Sequence, residues 1–469
     1  MSKQVLLVSL MLCVVSAFAA DGSTDPRLKP AYRFTRDKWI YVHLEGSPAE
    51  IGFQHGYLLS AEIADGVNTV KFMDTYRTKR DWEFFREAAR TVIWPNVDAE
   101  YQQELQGIVD GLKAKGVQLD LWDIVALNAM EELPDYYLPW LERQQKHASV
   151  FVRRPVGHCS AFVATGSMTK DHKPVIAHSN WTNFPVGSRW TVIFDMAPTH
   201  GYRMIQDGFP GVIVSDDDFG INSAGLMVTE TTVTGFSLFD PEGKPEFSRA
   251  RKALQYAGNI DEYVKIMVDG NNGGYANDWL LADNTTGEVA RFELGLKIHR
   301  VWRTKDGYYV GANFPSDPRL IEEETDFNPN DRASSMNARH LRWNQLMEQY
   351  KGQIDIEMAQ KFLADHFDTY EKKDDPNERT LCGHGQNSPR GIPEWDDPPY
   401  YPGGAVTAQA ADSTLAKNMS LTARAGYPCG VDFIAEPFLK AHPEFEWQKP
   451  VLQDLKGNPW AEFKAGEKQ

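Results

Sequence analysis

The chain has 469 residues, 42% of them hydrophobic, and its 13 tryptophans and 24 phenylalanines supply an extensive core, which excludes an intrinsically disordered protein. A formal net charge of -16 argues against nucleic acid and against an anionic membrane surface as partners; it equally describes a secreted protein kept soluble by acidic groups.

Residues 1–20 have the three-part layout of a secretory signal peptide: a short polar start with Lys3, an apolar run over 5–17, and a small-residue close at Ala17-Phe18-Ala19-Ala20. A secreted, periplasmic or lysosomal protein is therefore expected. No later apolar run is long enough to span a bilayer, so no integral membrane association is expected. Cys13 leaves with the signal, and Cys159, Cys382 and Cys429 remain, an odd number for an oxidising compartment. Cys382 and Cys429 are the disulfide candidate, an arrangement that leaves Cys159 free.

Residues 21–158 read as a mainly helical N-terminal segment. A strand at 39–44 leads into a helix with Ser47 as N-cap, Pro48 at its first position and Glu50 closing a capping box. His55 and Gly56 lie inside this helix, His55 as a structural residue and Gly56 as a mark of close packing. Further helical periodicity runs over 97–115 and 120–130, and the polar stretch 142–147 reads as a linker. From 160 the pattern turns to strands at 160–164, 174–177, 190–196, 202–206 and 226–232, with a hairpin turn at Asn222-Ser223-Ala224-Gly225. Helices at 247–256 and 260–268, the second capped by Asn259, precede strands at 279–282, 289–293, 298–303 and 308–313. Two amphipathic helices follow at 335–350 and 356–366, and the proline-rich stretch 374–404 reads as a long surface excursion. Hairpins in place of long crossovers give an α+β protein with sheets packed face to face and helices outside.

The seam between the two patterns falls at His158-Cys159. A cysteine that opens a strand just after a polar, proline-bearing approach is read either as a small core hydrophobe or as a nucleophile. The second reading invokes self-cleavage of the His158–Cys159 bond. Cys159 then becomes a chain terminus whose α-amine, with an intrinsic pKa of about 8, accepts the proton of its own thiol.

Four ordered motifs extend this. Cys159-Ser160-Ala161-Phe162, Ala177-His178-Ser179-Asn180-Trp181, the run from Asp217 to Leu226 with Glu230-Thr231-Thr232, and Gly274-Tyr275-Ala276-Asn277-Asp278-Trp279 together resemble the phospholipase B-like proteins. Those belong with the isopenicillin N acyltransferase-like and cholylglycine hydrolase-like N-terminal nucleophile (Ntn) hydrolases. The early motif from Gly46 to Gly56 and the late Leu381-Cys382-Gly383-His384 are similar to the acyltransferase branch.

The resemblance implies a four-layer αββα sandwich with antiparallel sheets, autocatalytic cleavage before Cys159, a catalytic region over 159–469, and hydrolysis or transfer at an amide or ester carbonyl. It also implies roles: Asn277 as oxyanion donor, Thr232 beside it, and His178 and Trp181 as the pair flanking the thiol. Arg339 would be a substrate-binding residue. The contact that orients the amine is left to Asp218 or the Ser179 hydroxyl. The expected partner is a small acylated substrate or peptide. No cofactor and no metal are expected, since spaced calcium ligands, His-Glu-x-x-His and Cys-x-x-Cys are missing from the sequence. A lipid acyl-ester hydrolase and a non-catalytic secreted binding protein are the alternatives.

Overall fold

The computed structural model describes residues 25–145, 158–215 and 219–468. The expected signal segment, the linker end with the approach to His158, and Asp216-Asp217-Asp218 lie outside the described residues.

In chain order the strands are β1 (Tyr32–Arg36), β2 (Trp39–Gly46), β3 (His158–Thr165), β4 (Val175–Asn183), β5 (Val192–Pro198), β6 (Met204–Gly208), β7 (Gly220–Asn222) and β8 (Leu226–Thr232). They continue with β9 (Asn277–Asp283), β10 (Glu288–Leu294), β11 (His299–Thr304), β12 (Gly307–Gly311), β13 (Phe367–Asp368) and β14 (Lys373–Asp374). The last three are β15 (Gly403–Asp412), β16 (Ser420–Ala425) and β17 (Ala461–Lys464). One sheet has nine strands in the order β1-β2-β5-β6-β7-β8-β9-β10-β11, and a second has six in the order β12-β3-β4-β15-β16-β17.

Side-chain alternation fixes the layering, because successive residues of a strand face opposite ways. Ala161 and Val163 of β3 pack inward against Ile193, Ile205 and Met227 of the larger sheet. Phe162 and Ala164 pack outward on Trp343 and Phe362, from the helices Ser335–Gln349 and Ile356–Leu363. On the far side, Val228, Trp279 and Phe292 meet the helices that run from Pro48 to Asn128 together with Glu246–Tyr256 and Ile260–Val268. The result is the expected helix–sheet–sheet–helix sandwich.

The residues before Cys159 are part of this sandwich. β2 lies parallel to β5, with Ile40 opposite Val192, so a strand from upstream of the seam is built into the larger sheet. The Ser47 capping box forms as read, opening the helix Pro48–Leu58. That helix packs backbone to backbone on Ala99–Ala114: a Cβ at Gly56 would stand 2.0 Å from the Ile108 carbonyl oxygen, and one at Gly111 2.2 Å from that of Phe53. His55 is structural, its Nε2 accepting the Gly211 N–H at 2.9 Å.

Two expectations change. The stretch 374–404 is not simply a surface excursion, because Leu381, Cys382, Ile392 and Trp395 are buried against the smaller sheet and its helices. Cys382 and Cys429, the disulfide candidate, are separate thiols, each facing the His384 ring. Among the described residues no helix is long and apolar enough to cross a membrane.

Candidate active site

Cys159 is the second residue of β3 and is almost wholly buried, 2% exposed. Its partner across the ladder is Asn180, and two residues further His178 faces Ala161. Because facing residues share a sheet face, Cys159 and His178 come to the same side of the smaller sheet. Sγ of Cys159, a ring nitrogen of His178 and a carboxylate oxygen of Glu230 all lie within 4.8 Å of one another. Burial pushes the His178 imidazolium down to about 3, so this ring is neutral at ordinary pH.

Glu230 belongs to the other sheet, near the end of β8, and is fully buried. Its Oε1 lies 3.9 Å from Cys159 Sγ and accepts the Tyr275 hydroxyl at 3.2 Å. Thr232 donates to that same tyrosine oxygen at 3.2 Å and pairs with Asn277 across the β8–β9 ladder. The orientation of the Asn277 amide that satisfies its surroundings puts its nitrogen 2.7 Å from Glu230 Oε2 and 3.1 Å from the Ala276 carbonyl. The turn that delivers Asn277 is anchored from upstream of the seam. Asn272 donates to Glu132 Oε2 at 2.5 Å and accepts the Gly274 N–H at 3.0 Å. Burial raises the Glu132 carboxyl to about 7.

Asn313 is the residue the sequence did not reveal. It follows β12 with φ +57, a left-handed backbone that asparagine tolerates better than most residues. Its Oδ1 accepts the Cys159 backbone N–H at 3.1 Å and Arg339 Nη2 at 2.9 Å, while Nδ2 donates to the Thr232 carbonyl at 3.0 Å. Its own N–H reaches the Thr231 hydroxyl at 3.4 Å, so the two threonines serve different neighbours. Of the groups considered for the Cys159 nitrogen, neither Ser179 nor Asp218 is seen to meet it, and Asn313 does. Ser179 pairs with Ser160, one position off the face that carries Cys159, and Asp218 is outside the described residues.

Arg339 is not at a pocket surface. It is fully buried on the outer side of the smaller sheet, donating to the Cys159 carbonyl at 2.5 Å, to Ser160 Oγ at 3.2 Å and to Ser335 Oγ at 2.9 Å. Its guanidinium carbon stands 4.5 Å from the ring centroid of Trp181 and 5.7 Å from that of Trp395. Trp181 is three residues from His178 and therefore on the other face of β4; it supports Arg339 and does not meet the thiol. Burial pulls the guanidinium down to about 9, against the pull of the Cys159 and Glu394 charges.

A cavity of about 680 Å³ opens where β4 runs on past the start of β3, lined by none of Cys159, His178, Glu230, Asn277 and Asn313. Thr182 and Asn183 line it together with Trp395, Met73, Met130 and Phe445, and the Arg77–Asp135 pair at 2.6 Å adds charge to a largely apolar wall.

The phospholipase B family model matches residues 63–363, well over half of the chain. The chain belongs to the phospholipase B family. Relatives include phospholipase B-like 1 of Bos taurus, 25% identical over 261 residues that cover 50% of this chain and 47% of that protein. An uncharacterized protein of Archaeoglobus fulgidus is 26% identical over 300 residues, covering 59% of this chain and 47% of its own. The chain spans about half the length of these curated relatives. Two variants of the conjugated bile acid hydrolase of Clostridium perfringens match in structure at 11% and 12% identity with TM-scores of 0.32 and 0.33. They cover 57% and 65% of this chain, and 89% and 96% of their own. The matched region includes Cys159, Glu230, Asn277, Asn313 and Arg339.

Proposed function

We propose that the protein is a self-processing, secreted hydrolase whose Cys159 thiol opens an acyl bond, first its own at His158–Cys159 and then a linear amide in a small acylated substrate. The supporting observation is that one residue brings two reactive atoms into one polar cluster. Its backbone nitrogen is 3.1 Å from Asn313 Oδ1 and its sulfur is 3.9 Å from Glu230 Oε1.

Processing begins when Sγ adds to the His158 carbonyl carbon. The C–N bond then breaks, the nitrogen takes a proton, and residue 158 is left as a thioester on Cys159. Water adds to the thioester, releasing the His158 carboxylate and restoring the thiol. The freed α-amine stays where Asn313 already holds its nitrogen, and it takes the thiol proton in each later attack. Asn277 turns an amide N–H from Glu230 toward the oxyanion, a contact worth about 3 kcal/mol at the transition state when well aimed. Glu230 orients Asn277 and Tyr275 and lies beside the migrating proton. His178 contributes as a neutral ring. Arg339, steadied by Trp181, fixes the Cys159 carbonyl, which is a positioning role in place of the substrate contact first expected.

Membership of the phospholipase B family supports a second reading, in which the acyl donor is a lipid ester; the thioester would be the same and only the leaving group would differ. Intact-mass analysis and N-terminal sequencing test the proposal. Active material should contain a piece beginning Cys-Ser-Ala-Phe, and Cys159→Ala should remain one chain. A Cys159→Ala protein that still splits at this bond rules out self-cleavage. Exposure to N-acyl amides or to phospholipids, followed by mass analysis of the Cys159 peptide, separates the two substrate readings by which donor leaves its acyl group. A fully processed protein that takes up neither favours the binding-protein alternative.

A further inference from the structure

A second cysteine cluster lies on the outer side of the smaller sheet. One ligand-capable atom from each of His366, Cys382, His384 and Cys429 falls within 4.8 Å of all the others. Cys382 Sγ is 3.4 Å and Cys429 Sγ 3.6 Å from His384 Nε2. In a tetrahedral zinc site with Zn–S of about 2.3 Å and Zn–N of about 2.05 Å, a sulfur and a nitrogen stand about 3.6 Å apart along an edge. The two sulfurs already hold that spacing around His384. No carboxylate belongs to the group, and two thiolates with two imidazoles are the donor set that selects zinc over calcium or magnesium.

The surroundings support a ligand. His366 Nε2 and Gln386 Oε1 are buried and make no well-formed hydrogen bond, while the His366 ring faces the Cys429 thiol and the Gln386 amide faces the Tyr427 hydroxyl. The Gln386 side-chain nitrogen lies 3.5 Å from His384 Nδ1. Turning that amide would let its oxygen accept the Nδ1–H, which presents Nε2 as the free donor, as the supporting contact of a metal-bound histidine does. Tyr427 stacks on the His384 ring at 4.0 Å and dries one side. Cys382 and His384 are buried while His366 and Cys429 are partly exposed, which leaves an entry path.

We propose that His366, Cys382, His384 and Cys429 form a structural zinc site. It ties the end of the helix Ile356–Leu363, the long irregular run before β15, and the turn after β16 into one unit. That unit abuts the site: a Cβ at Gly383, between two ligands, would lie 2.4 Å from the Trp181 ring that carries Arg339. The competing fate of the same sulfurs is a Cys382–Cys429 disulfide, which an oxidising compartment favours.

The full chain, purified without chelators, is to be assayed for metal by mass spectrometry and for thiols by alkylation after denaturation. One zinc per chain with both Cys382 and Cys429 alkylated is expected. Cobalt in place of zinc should give tetrahedral visible bands with sulfur-to-cobalt charge transfer. Cys429→Ser and His366→Ala, at the two partly exposed ligands, should weaken zinc binding by more than the roughly 10–100-fold that loss of a supporting contact costs. Cys159→Ala should keep its zinc, which assigns the metal away from the Cys159, His178 and Glu230 group. A Cys382–Cys429 disulfide without zinc overturns the proposal. So does a reduced chain that retains no zinc after dialysis against it, or zinc that is lost with Cys159 and kept without Cys429.

Discussion

The two cysteine clusters sit on opposite sides of one six-stranded sheet and differ in their company. Around Cys159 there is a single sulfur among oxygen and amide groups, Glu230, Thr232, Asn277 and Asn313, with a histidine held neutral by burial. Around Cys382 there are two sulfurs and two imidazoles and no carboxylate. A thiol near hydrogen-bonding groups that can hold an amine and an oxyanion is arranged to react; thiols that share imidazoles are arranged to hold something still. The neighbours, more than the cysteine, set the chemistry.

That contrast breaks most visibly at Cys159. Cys159→Ala should abolish turnover and leave the fold intact, since one small buried side chain replaces another; residual turnover above background would show that the nucleophile is elsewhere. Next, Asn277→Ala should lower kcat about 100- to 1,000-fold with little change in KM, the signature of a donor used only at the transition state. Equal losses in binding and turnover would make it a packing residue. Asn313→Gly keeps the left-handed backbone and deletes the acceptor of the Cys159 nitrogen. A loss of about 10- to 100-fold in kcat is expected, the size of a hydrogen bond to a charged group. Because that acceptor favours the protonated amine, the amine limb of the pH–rate profile should also move to lower pH. A profile that stays put would leave Asn313 a structural residue only.

The smallest effect concerns protons and folding. Burial lowers both His55 and His178 to about 3. The unfolded chain takes up these protons near its ordinary value of about 6.5 while the folded chain does not. Stability is thus fully present above about pH 6.5 and is lost as pH falls toward 3. The loss is about 2 kcal/mol per histidine at pH 5, measurable by denaturant unfolding at the two pH values. A His178→Gln protein should lose about 2 kcal/mol of this sensitivity, while His55 and His340, the latter lowered by burial to about 4, keep theirs; unchanged sensitivity would mean that His178 is already charged in the fold.

Much of the architecture was legible because it depends on local patterns. The Ser47 capping box, the Asn259 cap and the turn at Asn222 all form where the sequence places them. The strand read over 160–164 forms within β3. What stayed hidden depends on residues distant in sequence. Asn313 reaches Cys159 across 154 positions, and nothing in Gly311-Ala312-Asn313 announces it beyond asparagine's tolerance of a left-handed backbone. Glu230 stood inside a recognised motif with no role, because its closeness to the thiol requires the two sheets to stack. Arg339 follows a helical pattern that suggests a solvated surface, yet Trp181 and Trp395 flank it. At the second cluster the sequence suggests only a Cys382–Cys429 pairing and a Cys382–His384 motif; that His366 joins them depends on the fold.

The parallel pairing of β2 with β5 has one more consequence. A scission between His158 and Cys159 severs the covalent thread but cannot part the two pieces, because each owns strands of the same sheet. In solution the nicked molecule would travel as one particle and come apart only under denaturant. Reassembly would then be a second-order event between two strangers, slower on dilution. After its first reaction the protein would endure through slow unfolding, with little chance of folding again.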